Sequence, residues 1–365
     1  MKRKFYFILA IALLMISCNV NKNKNNKEEI NIAAILSLTG NGAEYGQDQL
    51  NAIQLFQEEL AKNYTLKYKY VFHIQDSKSQ PKEAVNAYQN LSSRINIDAC
   101  MTVLSSVCLA LIPNTERDNI PIFCVGANPE ITKNKSLVFR SLPTTDYQAK
   151  FLAKTVFDEM ELDSIGILYL NDDFGIGSKN SFTQIALAKN KKILIEQSIQ
   201  NSDVDYRSQI TKLLSKKPNA IYLATFGNSI ATALIQLKEL GYEGYILSTL
   251  EVAYPKVLER AKNSSEGVIF TDTYWDINSD DFFQKYQNRF NKNPSLDVIL
   301  AHDELNVLIQ AFEQFGKENS KFSLLKGNQK LYNSPAGKFS INSFGDFEYS
   351  LKLKEIKNGT PQIID

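Results

Sequence analysis

Residues 32–55 read IAAILSLTGNGAEYGQDQLNAIQL: an apolar run, a loop carrying Gly40, Gly42 and Gly46, and a stretch where apolar residues return every three or four positions. An unbroken apolar run is what a strand buried on both faces requires. Leu50, Ile53, Phe56 and Leu60 then make one stripe of a helix, with Gln54, Gln57 and Glu58 outside it. Strand, glycine loop and helix in that order open a doubly wound α/β unit. The loop imitates a dinucleotide fingerprint but fails its spacing. Gly46 lies 46 − 42 = 4 positions after Gly42, where the fingerprint needs three, and Asp76, the acid that closes the second strand, is 76 − 46 = 30 positions after Gly46. The ribose contact calls for about 20, so a nucleotide cofactor is not expected.

The same alternation continues along the chain. Strands are predicted at Asn31–Leu36, Lys69–Gln75, Ala99–Leu104, Ile120–Val125, Ser164–Leu170, Lys192–Gln197, Ala220–Thr225, Tyr245–Ser248 and Gly267–Thr273. Between them lie amphipathic stretches. One places Ile230, Ala233, Leu234 and Leu237 on a face and stops at Gly241; another, Gln209–Lys216, is ended by Pro218. The alternation runs through twice, which predicts an α/β fold of two doubly wound, Rossmann-like lobes rather than one large sheet. The tail differs. In GKFSINSFGDFEYSLKLKEIKNG, residues 337–359, FSI and a turn at Asn342–Asp346 lead into an alternating strand whose Phe347, Tyr349, Leu351 and Leu353 share a face.

Composition bounds the function. The chain has 365 residues, 41 Lys plus Arg against 40 Asp plus Glu, and 44% hydrophobic residues. That length suits two globular domains, and a formal charge of +1 provides no basic field for nucleic acid. Lys2, Arg3 and Lys4 precede an apolar run from Phe5 to Ile16, too short to span a bilayer and suited to a signal-peptide core. The run ends in LLMISC, which resembles a bacterial lipobox, with Cys18 as the lipidated first residue of the mature chain; Met15 departs from the usual aliphatic residue. Residues 1–17 are read as the signal peptide and 18–28, rich in Asn and Lys, as a polar tether. Cleavage there would leave 365 − 17 = 348 residues.

Catalytic motifs do not assemble. Asp173, Phe174 and Gly175 spell the kinase magnesium triplet without the HRD loop or the phosphate-covering glycine loop, and G-x-S-x-G, H-E-x-x-H and C-x-x-C patterns do not occur. His73 and His302 are read as structural imidazoles, and no enzyme, metal or cofactor is expected. Cys100, Cys108 and Cys124 are read as small buried hydrophobes. A Cys100–Cys124 disulfide remains open, because sequence does not supply the strand register.

The segments taken together resemble the type I periplasmic binding proteins of the leucine/isoleucine/valine-binding family, solute receptors of ABC importers. The anchors are residues 32–55, HIQDSKSQPKEAV (73–85), VLSSVCLALIPNTERDNIPIFCVGANPEIT (103–132), LYLNDDFGIG (168–177), EGVIFTDTYW (266–275), AHDELNVL (301–308) and GKFSINSFGDFEYSL (337–351). The resemblance implies two lobes joined by three hinge crossovers, with ligand trapped between them. It places lobe 1 at 29–141 plus 273–332 and lobe 2 at 142–272 plus 333–365. It also implies a small-molecule ligand, a permease and an ATPase as partners, and membrane attachment through the lipid alone.

The same resemblance nominates the site. Ser105 and Ser106 stand where a strand gives way to a helix, so hydroxyls and free amide N–H groups there suit an anion such as an α-carboxylate. Tyr45 matches an aromatic that closes over the ligand. Glu251 falls where relatives carry the acid that pairs with a ligand ammonium. Phe174 and Phe226 stand where relatives have tyrosines, and Ala127, in Gly126–Pro129, stands where they have the Thr of A-T-N-P. These departures imply a more apolar pocket and a ligand that is an amino acid, an amide or an organic acid. Two other readings fit the same residues: a ligand-sensing receptor that signals to a separate partner, and an envelope lipoprotein that has lost ligand binding.

Overall fold

The computed structural model describes residues 27–62, 65–273 and 281–364. The signal segment, Cys18 and the tether up to residue 26 lie outside the described residues. The first half contains β1 (Glu29–Leu36), α1 (Ala43–Leu60), β2 (Lys69–Asp76), α2 (Pro81–Ser92), β3 (Ala99–Val103), α3 (Ser105–Arg117), β4 (Ile122–Val125) and β5 (Val138–Arg140). They form a parallel five-stranded sheet of order β2-β1-β3-β4-β5. Every residue of β3 and β4 is buried, as their unbroken apolar runs require. Strand β5 is an addition to the sequence reading. At three residues it is too short to show a period, and it carries the buried Arg140.

The chain then builds α4 (Thr145–Ala153), β6 (Ser164–Leu170), α5 (Asp173–Ala188), β7 (Lys192–Ile199), α6 (Arg207–Leu214), β8 (Ala220–Ala224), α7 (Asn228–Glu239), β9 (Tyr245–Ser248), α8 (Pro255–Ala261) and β10 (Ile269–Thr273). It continues through α9 (Asp281–Phe290), α10 (Leu296–Phe315), β11 (Tyr332–Ser334), β12 (Gly337–Ile341), β13 (Phe347–Glu348), β14 (Leu351–Lys357) and β15 (Thr360–Ile363). The second sheet has the order β15-β14-β10-β9-β8-β6-β7, parallel from β6 to β10 and antiparallel at β14 and β15. Helices α9 and α10 return to the first sheet's side: α10 packs along α1, and Asn51 Nδ2 donates to Tyr286 Oη at 3.1 Å. The fold is thus α/β with two doubly wound lobes, each closed by helices around its own sheet.

Two glycines show why each lobe opens with the same strand–loop–helix. A Cβ on Gly46 would sit 2.1 Å from the Ser37 carbonyl oxygen, and one on Gly175 would sit 2.1 Å from that of Leu170. Only glycine lets α1 and α5 start so close to the strands that precede them.

The expected hairpin forms between β12 and β13, where Ser340 pairs with Glu348 and Ile341 with Phe347. The long alternating strand after the turn does not. It breaks at Tyr349–Ser350 and resumes as β14, paired with β10 in the other sheet. Phe347, Tyr349, Leu351 and Leu353 are all buried as the alternation demands. Periodicity fixes which side chains go inward, whereas the sheet that the backbone joins depends on partners distant in sequence.

The histidines have structural partners. His73 Nε2 lies 2.9 Å from Asn31 Oδ1, and His302 sits beside Asp303 and Asn306. Cys100, Cys108 and Cys124 are buried free thiols. Although β3 and β4 are neighbours, Cys100 stands opposite Ile122 and Cys124 opposite Thr102, so the two thiols are out of register for a disulfide.

Candidate functional site

Strand order reverses between β1 and β3 in the first sheet and between β6 and β8 in the second. Loops leaving adjacent parallel strands at such a reversal diverge and open a crevice at the carboxyl ends. One cavity gathers residues from all four of these positions. Tyr45 follows β1, Leu104, Ser105 and Ser106 follow β3, Asp172 and Phe174 follow β6, and Phe226 follows β8. The loop after β9 adds Glu251 and Tyr254, and the first turn of α10 adds Asp297. The cavity holds about 410 Å³ of atom-free space, counted out to its mouth.

The side-chain frame is aromatic. The Tyr45 ring meets Tyr254 edge-on with centroids 4.9 Å apart and Phe226 at 5.9 Å; Phe226 meets Phe174 at 5.4 Å. Opposite stands the start of α3. Ser105 Oγ accepts from the Asn128 amide at 3.3 Å, which ties this turn to the loop after β4. Leu104, just before it, holds a positive φ of 78°. A non-glycine residue there is strained by on the order of 1–3 kcal/mol, and its side chain packs on Gly42, where a Cβ would come within 2.6 Å of Leu104 Cδ1.

Three carboxyl groups face the same space. Burial pushes Glu251 up to about 7, and Oε2 has no hydrogen-bond partner among the described residues. Burial, reinforced by the negative charge of Asp48, Glu251 and Glu44, holds Asp297 well above the usual carboxylate range; Tyr254 Oη donates to its Oδ2. Burial raises Asp172 to about 6 while its Oδ1 caps α5 by accepting from the Gly175 amide at 2.9 Å.

Six of the seven ligand residues expected from sequence therefore line one cavity: Tyr45, Ser105, Ser106, Phe174, Phe226 and Glu251. Ala127 does not. It is fully buried, its carbonyl accepts from the Thr145 amide at 2.9 Å, and Gly126 takes the lining position. A Cβ on Gly126 would lie 3.2 Å from the Ser105 backbone, so close approach at this point needs glycine. Asp172, Tyr254 and Asp297 also line the cavity and bring polar groups that the sequence reading did not nominate. Tyr254 lies three residues beyond Glu251 in the same loop and had that signal. Asp297 had none, because nothing local says that the start of α10 reaches the cleft.

A family model described as "Periplasmic binding protein" matches residues 29–360. The chain belongs to the periplasmic binding protein family. Among solved structures it is similar to the leucine-binding protein LivK of Thermotoga maritima, with 24% identity, TM-score 0.83, and coverage of 92% of this chain and 98% of that one. It is likewise similar to the branched-chain amino acid transporter substrate-binding protein LivJ of Streptococcus pneumoniae, in complex with isoleucine: 18% identity, TM-score 0.81, 92% and 98% coverage. A solute-binding protein of an ABC transporter from Rhodopseudomonas palustris, in complex with 3,4-dihydroxybenzoic acid, matches at 16% identity and TM-score 0.81, covering 92% and 96%. At such identities the likeness carries the two-lobe, type I fold.

In this periplasmic binding protein the lobes are held together by contacts around the cavity. Asn41 Nδ2 donates to Asn201 Oδ1 at 2.8 Å, Asn128 Nδ2 donates to the Asp173 carbonyl at 2.5 Å, and Lys256 Nζ lies 4.0 Å from Glu44. Behind the cleft, the buried Arg140 guanidinium reaches Asp346 at 2.7 Å and the Asn128 carbonyl at 2.5 Å, which fixes the loop carrying Gly126. Among the described residues no helix is long and apolar enough to cross a membrane.

Proposed function

We propose that the protein is an extracytoplasmic solute-binding lipoprotein of an ABC importer, which traps a small polar ligand between its lobes by hinge closure and presents it to a separate permease and ATPase. Cys18 would carry the lipid, with the tether setting the distance to the membrane. The observation that supports this most is convergence: residues chosen from five separate sequence segments meet in one cavity, at the strand-order reversals of both sheets. The ligands named for the similar proteins, isoleucine and 3,4-dihydroxybenzoic acid, are small and polar as well.

In this reading Glu251 faces a ligand ammonium, the start of α3 at Ser105 and Ser106 receives a polar or anionic group, and Tyr45, Phe174 and Phe226 wall the remainder. The role is binding, without chemistry on the solute. We place the lobes at about 29–141 and 142–272, with the return at 273. The third crossing belongs at Tyr349–Ser350 rather than at Tyr332, because Asp346 is bonded to Arg140 and Thr132 on the first lobe, whereas β14 pairs with β10. Isothermal titration of ligand-free protein against amino acids, amides and small organic acids tests the function. Folded protein that binds nothing in the panel would remove the receptor reading.

A further inference from the structure

The cavity is lined by Asp172, Glu251 and Asp297, and by no Lys, Arg or His among the described residues. Asp172 is held at the start of α5 by the Gly175 amide, and Asp297 accepts from Tyr254 Oη through Oδ2, which leaves Glu251 and the other oxygen of Asp297 for a guest. These two acids come from different lobes, one on the loop after β9 and one on α10, and the charge of Glu251 helps to raise Asp297. Two buried groups at the same place are short of partners among the described residues. Tyr45 Oη, on a residue 5% exposed, and Glu251 Oε2, on a residue 4% exposed, make no close hydrogen bond, although the Gly227 backbone and the Thr249 side chain lie near these residues. A buried polar atom left unpaired is destabilising, so a built site with two such atoms is incomplete without a guest.

The charge that completes it follows from the chemistry of the walls. A zwitterion brings one ammonium and one carboxylate. No lining side chain is cationic; the starts of α5 and α10 already face Asp172 and Asp297, and the start of α3, whose partial charge is about half a unit, remains for the carboxylate. In the empty cavity burial favours the protonated forms of Glu251 and Asp297. An ammonium set between them favours ionisation, so the filled site holds two acids against that half charge and is short of positive charge for a neutral ligand. Tyr45, Phe226 and Tyr254 line the same cavity, and aromatic rings, negative on their faces, suit a cation set over one of them.

Resting on the receptor reading above, we infer that the solute carries net positive charge: a small organic amine whose ammonium lies between Glu251 and Asp297 against the Tyr45, Phe226 and Tyr254 rings. This excludes simple carboxylates of the benzoate type and ranks zwitterions below amines of the same skeleton. Asp297 becomes a residue that sets specificity.

Titration of the whole chain at neutral pH with L-leucinamide, L-leucine, 1,4-diaminobutane and benzoate separates the possibilities, because the first two differ chiefly in the carboxylate. L-leucinamide or 1,4-diaminobutane binding at least tenfold more tightly than L-leucine, with benzoate absent from the cleft, is the expected result. L-leucine or benzoate binding as tightly as the amines would overturn the charge assignment and leave the receptor reading standing. No binding by any of the four, nor by the wider panel, would overturn both. Asp297→Asn is expected to abolish the preference for the amide over the amino acid, and a preserved preference would reject Asp297 as its source. The wild-type comparison stands on its own should that variant fold poorly.

Discussion

Tyr254 Oη donates a hydrogen bond to Asp297 Oδ2, joining the loop after β9 to the first turn of α10 across the cavity. Both residues are buried, so the hydroxyl is the group that keeps a desolvated carboxyl satisfied. Tyr254→Phe removes it while preserving the ring against Tyr45. The variant is expected to lose about 1–3 kcal/mol of unfolding free energy, the usual range for stranding a buried acceptor. Urea denaturation monitored by circular dichroism measures it, and an unchanged midpoint would show that Asp297 does not depend on this bond.

Glu251→Gln should separate stability from binding. A neutral amide at a buried position that disfavours charge leaves the free protein as stable as before, or more so. The tightest ligand found by titration should bind about 1–3 kcal/mol more weakly, roughly 5- to 150-fold. Unaltered affinity would reject Glu251 as the group facing the ammonium.

The free protein should be more stable in mild acid than at neutral pH. Glu251 is raised to about 7 and Asp172 to about 6, and burial also raises Asp297, Asp303 and Glu304. In the unfolded chain these acids lose their protons near the ordinary carboxylate range. Between there and neutrality the folded state binds more protons, so stability falls as pH rises through that window. The Glu251 shift alone corresponds to on the order of 3 kcal/mol. Thermal melts at steps from pH 5 to pH 7.5 should show a declining midpoint, less steep in Glu251→Gln; a midpoint that climbs with pH contradicts the assignment.

Gly177 tests closure at a distance from the ligand. A Cβ there would lie 3.1 Å from Asn128 Nδ2, the atom that bonds to the Asp173 carbonyl between the lobes. Gly177→Val therefore obstructs the closed form without touching either lobe's core. Affinity should fall by about tenfold, reflecting the smaller share of binding-competent closed states. Small-angle scattering should show a ligand-bound variant wider than wild type. Tight binding with full compaction would mean that the Asn128 contact does not gate closure.

The three internal thiols should behave as packing groups. In a Cys18→Ala background, folded protein is expected to resist a thiol reagent, and three equivalents should react after denaturation, because Cys100, Cys108 and Cys124 are buried and free. Detection of only one reactive thiol in unfolded, unreduced protein would indicate a disulfide that the strand register argues against.

Much of the site was legible because its residues sit at the junctions that define the fold. Ser105 follows β3, Phe174 opens α5 and Phe226 ends the loop after β8, so a reader who places the strands has placed the cleft. Ala127 fails for a local reason: successive residues leaving β4 point to opposite sides, and Gly126 rather than its neighbour faces the space. Asp297 fails for a distant one. Its segment, SLDVIL, reads as an ordinary capped helix start, with Ser295 accepting from the Val298 amide.

The sequence by itself determined the alternation of strands and helices, the glycines at which α1 and α5 close on their strands, and the inward face of the tail, because these depend on periods and backbone sterics within a few residues. The strand that was read as one continuous run but divides between two sheets was decided only in three dimensions. So was the acidity of the cleft. The charge of a cavity is a sum over groups that become neighbours on folding, and Glu251 and Asp297, which are 297 − 251 = 46 positions apart, acquire their raised affinity for protons only once folding has removed the water between them.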